Sequence, residues 1–120
     1  MAGRIVNFEI PADNLEGAAA FWGGLFGWEF APAFEGGPPY LVTRTDGAGA
    51  ALTGMRPGER GLTVYLEVDD IGAGIARVGA LGGQAGDRMP VPGMGWFAVC
   101  TDPHGNRFGL WEEDPAASMG

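Results

Sequence analysis

Apolar and polar residues alternate in two segments of this chain, residues 4–11 and residues 62–68. A period of two is typical of a β-strand that buries one face and leaves the other face polar. We therefore predict two half-buried strands. Their apolar members are Val6, Phe8, Ile10, Val64, Leu66 and Val68, and the residues on the opposite face are Asn7, Glu9, Thr63, Tyr65 and Glu67.

Each predicted strand is followed by a predicted helix. The first helix begins at residues 13–16, a capping-box-like segment with acidic residues, continues to about Phe26 and ends at Gly27. The second is capped by Asp69 and Asp70, runs from Ile71 to Leu81 and ends at the glycine pair 82–83. Apolar residues at three- and four-residue spacing should form the buried stripes, which are Leu15, Ala18, Phe21, Trp22 and Leu25 in the first helix and Ile71, Ile75, Val78 and Leu81 in the second.

A further strand and a β-hairpin are predicted after each helix. After the first helix, a strand at 28–34 and a turn at 35–39 precede a hairpin formed by residues 40–45 and 50–54. After the second, a strand near 84–91 precedes a hairpin formed by residues 96–101 and 107–112. Its turn, Asp102 to Asn106, contains Pro, Gly and Asn, the residues that favour turn conformations. Residues 55–61 are expected to be a linker, and residues 114–120 a loose tail.

This order of elements occurs twice. An offset of 56 residues places Phe8 on Val64, Asp13 on Asp69 and Asp46 on Asp102 without a gap. The repetition predicts a duplicated βαβββ unit. We expect one α+β domain, residues 1–116, with module one at about 4–57 and module two at about 60–113. A helix should cover one face of each half-sheet, and the more polar faces could curve together around a cleft.

Composition and charge narrow the possible functions. The chain has 120 residues, 46% of them hydrophobic and 18% charged, which is typical of one globular domain. It has neither an apolar run of membrane-spanning length nor a basic-then-apolar start, so we expect a soluble cytoplasmic protein. The net charge of −8 argues against nucleic acid and anionic membranes as partners. A lone Cys100 excludes an internal disulfide and thiolate zinc sites, and we expect an inert buried thiol.

Taken together, these features resemble the vicinal oxygen chelate superfamily, which includes glyoxalase I, extradiol dioxygenases, fosfomycin resistance enzymes and bleomycin-binding proteins. The resemblance covers residues 4 to 113. It implies paired βαβββ modules that form a U-shaped mixed sheet around a cleft, often in a homodimer. The segments that carry it are Ile5 to Pro11 with Asp13, Ala20 to Trp28, Val68 to Ile71, and Asp102 to Asn106.

Enzymes of this superfamily usually hold a divalent metal with His, Glu or Gln ligands. The resemblance and the repeat together place those ligand positions at Asn7, Thr53, Thr63 and Gly109. An amide, two hydroxyls and a glycine are not the donors that a transition metal prefers. We therefore expect no metal and no other cofactor. His104, the single histidine, lies within the hairpin turn and is expected to face solvent.

Strand alternation predicts what would line the cleft instead. Glu9, Tyr65 and Glu67 are candidates for acid–base or hydrogen-bonding roles. The competing explanation is structural, with Glu9 or Glu67 in a salt bridge to Arg107. Two tryptophans could stack on a planar or cationic ligand. The candidate ligand-binding set is Asn7, Glu9, Thr53, Thr63, Tyr65, Glu67, Trp96, Arg107 and Trp111.

Three functions follow from these expectations. In the first, the protein binds a small apolar or aromatic molecule, with or without a positive charge, for sequestration or antibiotic resistance. In the second, it is a lyase, isomerase or dioxygenase that uses Glu9, Tyr65, Glu67 or an unconventional metal site. In the third, it is a scaffold whose cleft is vestigial.

Overall fold

The structure is a computed structural model that describes residues 3–34, 40–45, 47–54 and 61–118. The chain divides into two compact units. The first unit comprises residues 7–63, and the second comprises residues 64–120 together with 1–6. The division lies close to the predicted module boundary. The predicted turn at 35–39, Asp46 and the linker residues 55–60 lie outside the described residues.

The first unit is a four-stranded sheet with one helix. Strand β1 spans Ile5–Ala12, helix α1 spans Leu15–Phe26, and strands β2, β3 and β4 span Ala31–Pro32, Tyr40–Arg44 and Gly49–Gly54. The order across the sheet is β2-β3-β4-β1, with β1 parallel to β4 and the other pairs antiparallel. The strand predicted at 28–34 is therefore reduced to its two central residues.

The second unit repeats this arrangement with an additional short strand. Strand β5 spans Thr63–Glu67, helix α2 spans Ile71–Ala80, β6 spans Gln84–Ala85, β7 spans Met89–Val91, β8 spans Gly95–Thr101 and β9 spans Arg107–Glu113. The order is β5-β9-β8-β6, and β7 also pairs with β8. The predicted strand 84–91 is thus two short strands.

Local sequence signals set the helix boundaries as predicted. Asn14 caps α1 by accepting a hydrogen bond from the Gly17 amide, and Asp70 caps α2 by accepting one from the Ala73 amide. At the end of α1, Gly27 adopts the left-handed conformation with φ 74° and donates its amide hydrogen to the Gly23 carbonyl oxygen. A residue with a Cβ would be strained there.

Helix α2 covers one face of its sheet and forms a well-buried core. The core contains Val68, Ile71, Ala98, Cys100 and Leu110. Gly74 lies on the buried side of α2, where an added Cβ would be 3.1 Å from Cδ1 of Leu110. This glycine therefore allows the close approach of helix and sheet, which offsets its poor helix propensity.

Helix α1 differs from the prediction, because none of its residues is buried. Phe21 and Leu25, assigned to the buried stripe, are 61% and 58% exposed. The half-buried Trp22 instead stacks on the ring of Trp28, with 5.9 Å between centroids and 14° between planes. An aromatic cluster at the end of α1 takes the place of the predicted apolar stripe.

Residues 114–118 are not the loose tail that we predicted. Ala117 is buried, and its carbonyl oxygen accepts a hydrogen bond from the Gly93 amide. The amide of Asp114 donates to the Met94 carbonyl oxygen. These bonds attach the segment to the second unit next to the start of β8.

Candidate functional site

The second unit presents an aromatic surface on the sheet face opposite α2. Because side chains alternate along a strand and laterally paired residues share a face, the pairing of β5 with β9 and of β9 with β8 determines its members. We call Tyr65, Phe97 and Trp111 the aromatic face. Tyr65 is buried, whereas Phe97 and Trp111 are half-buried.

Tyr65 lies directly over Gly109, its partner in the sheet. A Cβ added at Gly109 would lie only 2.2 Å from Cδ2 and 2.3 Å from Cε2 of the Tyr65 ring. The ring also meets Phe97 edge-on, with 6.4 Å between centroids and 76° between planes. The ring therefore fills the space that a side chain at position 109 would require.

Trp111 makes a similar contact with a second glycine. A Cβ added at Gly95 would lie 2.5 Å from Cζ2 of the Trp111 ring, so the indole rests against the β8 backbone. Trp111 pairs with Phe97 on one side and with Glu67 on the other. Aromatic side chains and one carboxylate are thus neighbours on this face.

Glu67 forms a salt bridge, but its partner is not the one we predicted. Oε2 of Glu67 is 3.1 Å from the guanidinium of Arg4, whose side chain is 71% exposed. Arg107 is half-buried, pairs with Thr101 in the sheet and has an interaction of its own. The Arg4–Glu67 pair is a surface ion pair, of a kind that contributes little to stability.

Trp96 lies on the opposite face of the sheet from Trp111. It packs against the core under α2, and its Nε1 donates a hydrogen bond to Oδ2 of Asp114 at 3.0 Å. The guanidinium carbon of Arg88 lies 4.2 Å from the Trp96 ring centroid. The structure therefore does not bring Trp96 together with the aromatic face.

The first unit contains a polar cluster on the corresponding face. The hydroxyl of Tyr40 donates a hydrogen bond to Oε2 of Glu9 at 2.8 Å. Burial, the negative charge of Glu9 and this hydrogen bond raise the pKa of Tyr40 well above its usual range, while a hydrogen bond with the Asn7 side chain acts in the opposite direction. We call Asn7, Glu9 and Tyr40 the polar cluster.

Of the two candidate threonines, Thr53 belongs to β4 and Thr63 is the first residue of β5. The Oγ1 atom of Thr53 is buried and has no hydrogen-bond partner among the described residues. Thr53 pairs with Tyr40 in the sheet and so shares a face with the polar cluster. Thr63 is 3% exposed and has an interaction of its own.

Strand pairing shows that the offset of 56 residues between the two halves does not hold for every strand. The caps Asn14 and Asp70 keep the offset of 56, but Glu9 pairs with Ala51 whereas Tyr65 pairs with Gly109. The last strands therefore correspond at an offset of 58, because 109 − 51 = 58. Ala51, rather than Thr53, is the copy of Gly109.

The corrected repeat shows how the two units have diverged. Tyr40 pairs with Thr53, and Phe97 pairs with Trp111, so these pairs are equivalent. In the first unit the equivalent positions hold Glu9, Tyr40 and Thr53, of which only Tyr40 is aromatic. In the second they hold Tyr65, Phe97 and Trp111, all aromatic.

The residues present do not fit the superfamily's usual metal site. The Tyr65 ring occupies the space where a ligand side chain at position 109 would stand. Asn7 and Thr63 offer an amide and a hydroxyl rather than imidazole or carboxylate, and Ala51, the corrected equivalent of Gly109, offers no donor. Within the described ranges, no three or more His, Cys, Asp or Glu side chains are grouped so that they could hold a metal ion.

His104 and Cys100 occupy the environments that we predicted. His104 is exposed in the hairpin turn, where its amide donates a hydrogen bond to Oδ1 of Asp102 at 2.8 Å. Cys100 is 2% exposed in the core, and burial raises the pKa of its thiol. Neither side chain contacts the aromatic face or the polar cluster in the contacts described.

Sequence reasoning missed Tyr40 and Phe97 as site residues. For Phe97 a signal was present. The turn at 102–106 pairs Thr101 with Arg107, so Trp111 must face Phe97 and not Trp96. For Tyr40 the sequence carries no comparable signal, because its contact with Glu9 depends on how β3, β4 and β1 are aligned.

Comparison with known proteins agrees with this architecture. A family model described as a glyoxalase-like domain matches residues 6–111, so the chain belongs to the glyoxalase-like domain family. This confirms the resemblance to the vicinal oxygen chelate superfamily. A solved glyoxalase/bleomycin resistance protein/dioxygenase superfamily member from Vibrio splendidus superimposes with a TM-score of 0.68 and 19% identity, covering 92% of this chain and 99% of that chain.

Two mycobacterial proteins are also similar. Putative glyoxylase CFP32 of Mycobacterium tuberculosis is 31% identical over 121 residues, covering 94% of this chain and 45% of CFP32, so the chain spans about half the length of that relative. Methylmalonyl-CoA epimerase of Mycobacterium tuberculosis superimposes with a TM-score of 0.74 and 15% identity, covering 95% of this chain and 90% of the epimerase. At this identity the comparison shows that the epimerase shares the fold of this chain.

No helix in the described ranges is long and apolar enough to cross a membrane.

Proposed function

We propose that the protein binds a small apolar or aromatic molecule, with or without a positive charge, on its aromatic face and without a divalent metal. The observation that carries the proposal is the Tyr65 ring over Gly109, because the ring fills the space of the side chain that the family resemblance predicts to be a metal ligand. The proposed partner is a small molecule, and the net charge of −8 argues against nucleic acid.

Two further properties of this face support the proposal. Trp111 and Phe97 are half-buried neighbours, so a planar ligand could contact both rings by stacking or edge-on packing. The chain carries a net charge of −8, which favours a positively charged ligand over a negative one, and Glu67 beside Trp111 is paired only with the exposed Arg4 in the contacts described.

The test uses two planar probes of similar size, neutral 2-naphthol and cationic N-methylquinolinium. Each is titrated into ¹⁵N-labelled protein while the indole N–H signals of the four tryptophans are followed. We expect saturable shifts of the Trp111 signal, identified by its loss in Trp111→Phe. The Trp96 signal, from the opposite face, should stay in place and serves as the internal control.

Three results are informative. Saturable shifts confined to Trp111 with either probe support the proposal, and a stronger response to N-methylquinolinium supports the cationic class. Shifts centred on Trp22 or Trp28, or no saturable shift with either probe, would overturn it. Affinity that depends on an added divalent metal would overturn the metal-independent part.

A second candidate function is an isomerase, lyase or dioxygenase, and the Tyr40–Glu9 hydrogen bond favours it. A carboxylate held by a phenol on a sheet face could accept or donate a proton. Among the related proteins, one is named an epimerase and another a putative glyoxylase. This activity would use the polar cluster of the first unit rather than the aromatic face.

The enzyme hypothesis is tested with Glu9→Gln and Tyr40→Phe. In an assay that shows turnover by the natural protein, Glu9→Gln should abolish kcat, and Tyr40→Phe should lower it without loss of folding. Turnover that survives both substitutions would exclude the polar cluster. Metal analysis of protein purified without chelator would show whether a metal accompanies the activity.

A further inference from the structure

The sheet face that carries the aromatic face ends in a row of polar side chains. Arg107 lies four residues before Trp111 in β9 and therefore on the same face of the sheet. Arg107 pairs with Thr101 in β8, and Thr101 pairs with Gln84 in β6, so these side chains share that face. We call Gln84, Thr101 and Arg107 the polar row. It places an amide, a hydroxyl and a guanidinium next to one another, and all three are hydrogen-bond donors.

An apolar strip separates the polar row from the rings of Phe97 and Trp111. It is formed by Val99, which pairs with Gly109 and is 39% exposed. A strand rises about 3.3 Å per residue, so the Cα atoms of Arg107 and Trp111 are roughly 13 Å apart. An extended small molecule could therefore contact the aromatic rings with one end and the polar row with the other.

Arg107 is suited to bind an anionic group at that end. Its planar guanidinium matches a carboxylate with two parallel hydrogen bonds. Arg107 has an interaction of its own, but a guanidinium carries five N–H donors and can hold a further acceptor. The residue is half-buried, so solvent ions screen its charge less than that of an exposed arginine.

Opposite charges mark the two ends of this surface. Glu67 pairs with Trp111 at the aromatic end, where its only partner in the contacts described is the exposed Arg4. A carboxylate beside aromatic rings favours a positively charged ring on the ligand. The chain carries a net charge of −8, which disfavours a ligand with a net negative charge. A ligand that combines a cationic ring with a carboxylate is neutral overall and complements both ends.

We propose that the ligand is an aromatic zwitterion. Its cationic ring lies on the aromatic face beside Glu67, and its carboxylate binds Arg107, with Thr101 and Gln84 as neighbouring donors. The inference rests on the proposed small-molecule function and adds the chemical class and the orientation of the ligand. Arg107 is then the residue that selects ligands with a carboxylate.

The test compares two quinolinium probes that differ only at the end of the side chain. N-(3-carboxypropyl)quinolinium carries a carboxylate, and N-(3-carbamoylpropyl)quinolinium carries a neutral amide of similar shape. Each is titrated into ¹⁵N-labelled protein, and the dissociation constant is taken from the Trp111 indole signal. We expect the carboxylate probe to bind about tenfold more tightly than the amide probe.

Two arginine variants show whether Arg107 is the source of this preference. Arg107→Gln should reduce it to less than about twofold, because the carboxylate then lacks a charged partner. Arg88→Gln is the matched control, since it removes the same charge at the Trp96 ring, on the opposite face of the sheet. The control should keep the preference of the natural protein. A preference that survives Arg107→Gln, or that Arg88→Gln removes equally, would overturn the role of Arg107.

Backbone amide shifts of the natural protein provide a measurement that does not depend on variants. The amides of Thr101 and Arg107 should shift with the carboxylate probe and stay in place with the amide probe. Equal affinities of the two probes, with saturable shifts at Trp111, would overturn the carboxylate site and leave the proposed function intact. No saturable binding of either probe would overturn the proposed function and this inference with it.

Discussion

The ring of Tyr65 lies against the backbone of Gly109, so close that an added Cβ would be 2.2 Å from Cδ2 of the ring. The two residues are paired in neighbouring strands. A side chain at position 109 would collide with the ring of Tyr65, which is itself buried. The contact puts an aromatic ring at the position where the family resemblance predicts a metal ligand.

Gly109→Ala should destabilise the protein, because its Cβ must displace a buried ring. We expect a loss of about 1–3 kcal/mol in the free energy of unfolding, measured by urea denaturation. In a Tyr65→Ala background the same substitution should cost much less, since the obstructing ring is gone. Gly79→Ala is the control. It has nothing within 4 Å of the added Cβ and should gain up to about 1 kcal/mol. Equal costs in both backgrounds would contradict the contact.

Glu112 should contribute to stability through the start of α2. Its Oε1 accepts a hydrogen bond from the Ile71 amide at 2.8 Å, and a carboxylate is favourable at a helix N-terminus. We expect Glu112→Ala to lower the free energy of unfolding by about 1 kcal/mol. Glu113→Ala, at the exposed neighbouring residue, should change it by less than about 0.5 kcal/mol. Similar effects of the two substitutions would argue against the capping role.

Tyr40 should resist ionisation at alkaline pH. Burial raises its pKa, and the charge of Glu9 raises it further. The two tyrosines of the chain can be separated in a Tyr65→Phe background, where absorbance at 295 nm follows Tyr40 alone. Because the folded-state pKa is raised, the associated stability is complete below about pH 10 and is lost as pH rises above that value. Glu9→Gln should lower the pKa of Tyr40, and an unchanged titration would show that Glu9 does not act on the phenol.

Asp114 should make the second unit sensitive to acid. The hydrogen bond from the Trp96 indole, together with one from the Ala116 amide, lowers the pKa of its carboxyl group. A lowered folded-state pKa gives stability that is present above about pH 4 and is lost as pH falls below that value. Asp114→Asn should therefore show a shallower loss of stability between about pH 4 and pH 2 in urea denaturation. An identical slope in both proteins would contradict the assignment.

Local signals predicted most elements of the fold. The strand at residues 4–11, both helix starts and the Gly27 stop are confirmed, because alternation and capping depend on neighbours within a few residues. The buried side of α1 was predicted correctly only in part, because Leu15, Ala18 and Trp22 are half-buried whereas Phe21 and Leu25 are exposed. An apolar period shows which residues share a helix face, but it does not show whether another surface covers that face.

For the candidate site, the features that the sequence predicts are clearly distinct from those that depend on the tertiary structure. By itself the sequence determined the duplicated order of elements, the turn at Asp102 to Asn106, and the glycine at position 109. Only the tertiary structure decided that Tyr65 fills the space above that glycine, that Trp111 meets Phe97, and that Tyr40 reaches Glu9. The physical reason is strand register. A shift of one residue moves every side chain to the opposite face, and register depends on turn lengths and on partners distant in sequence.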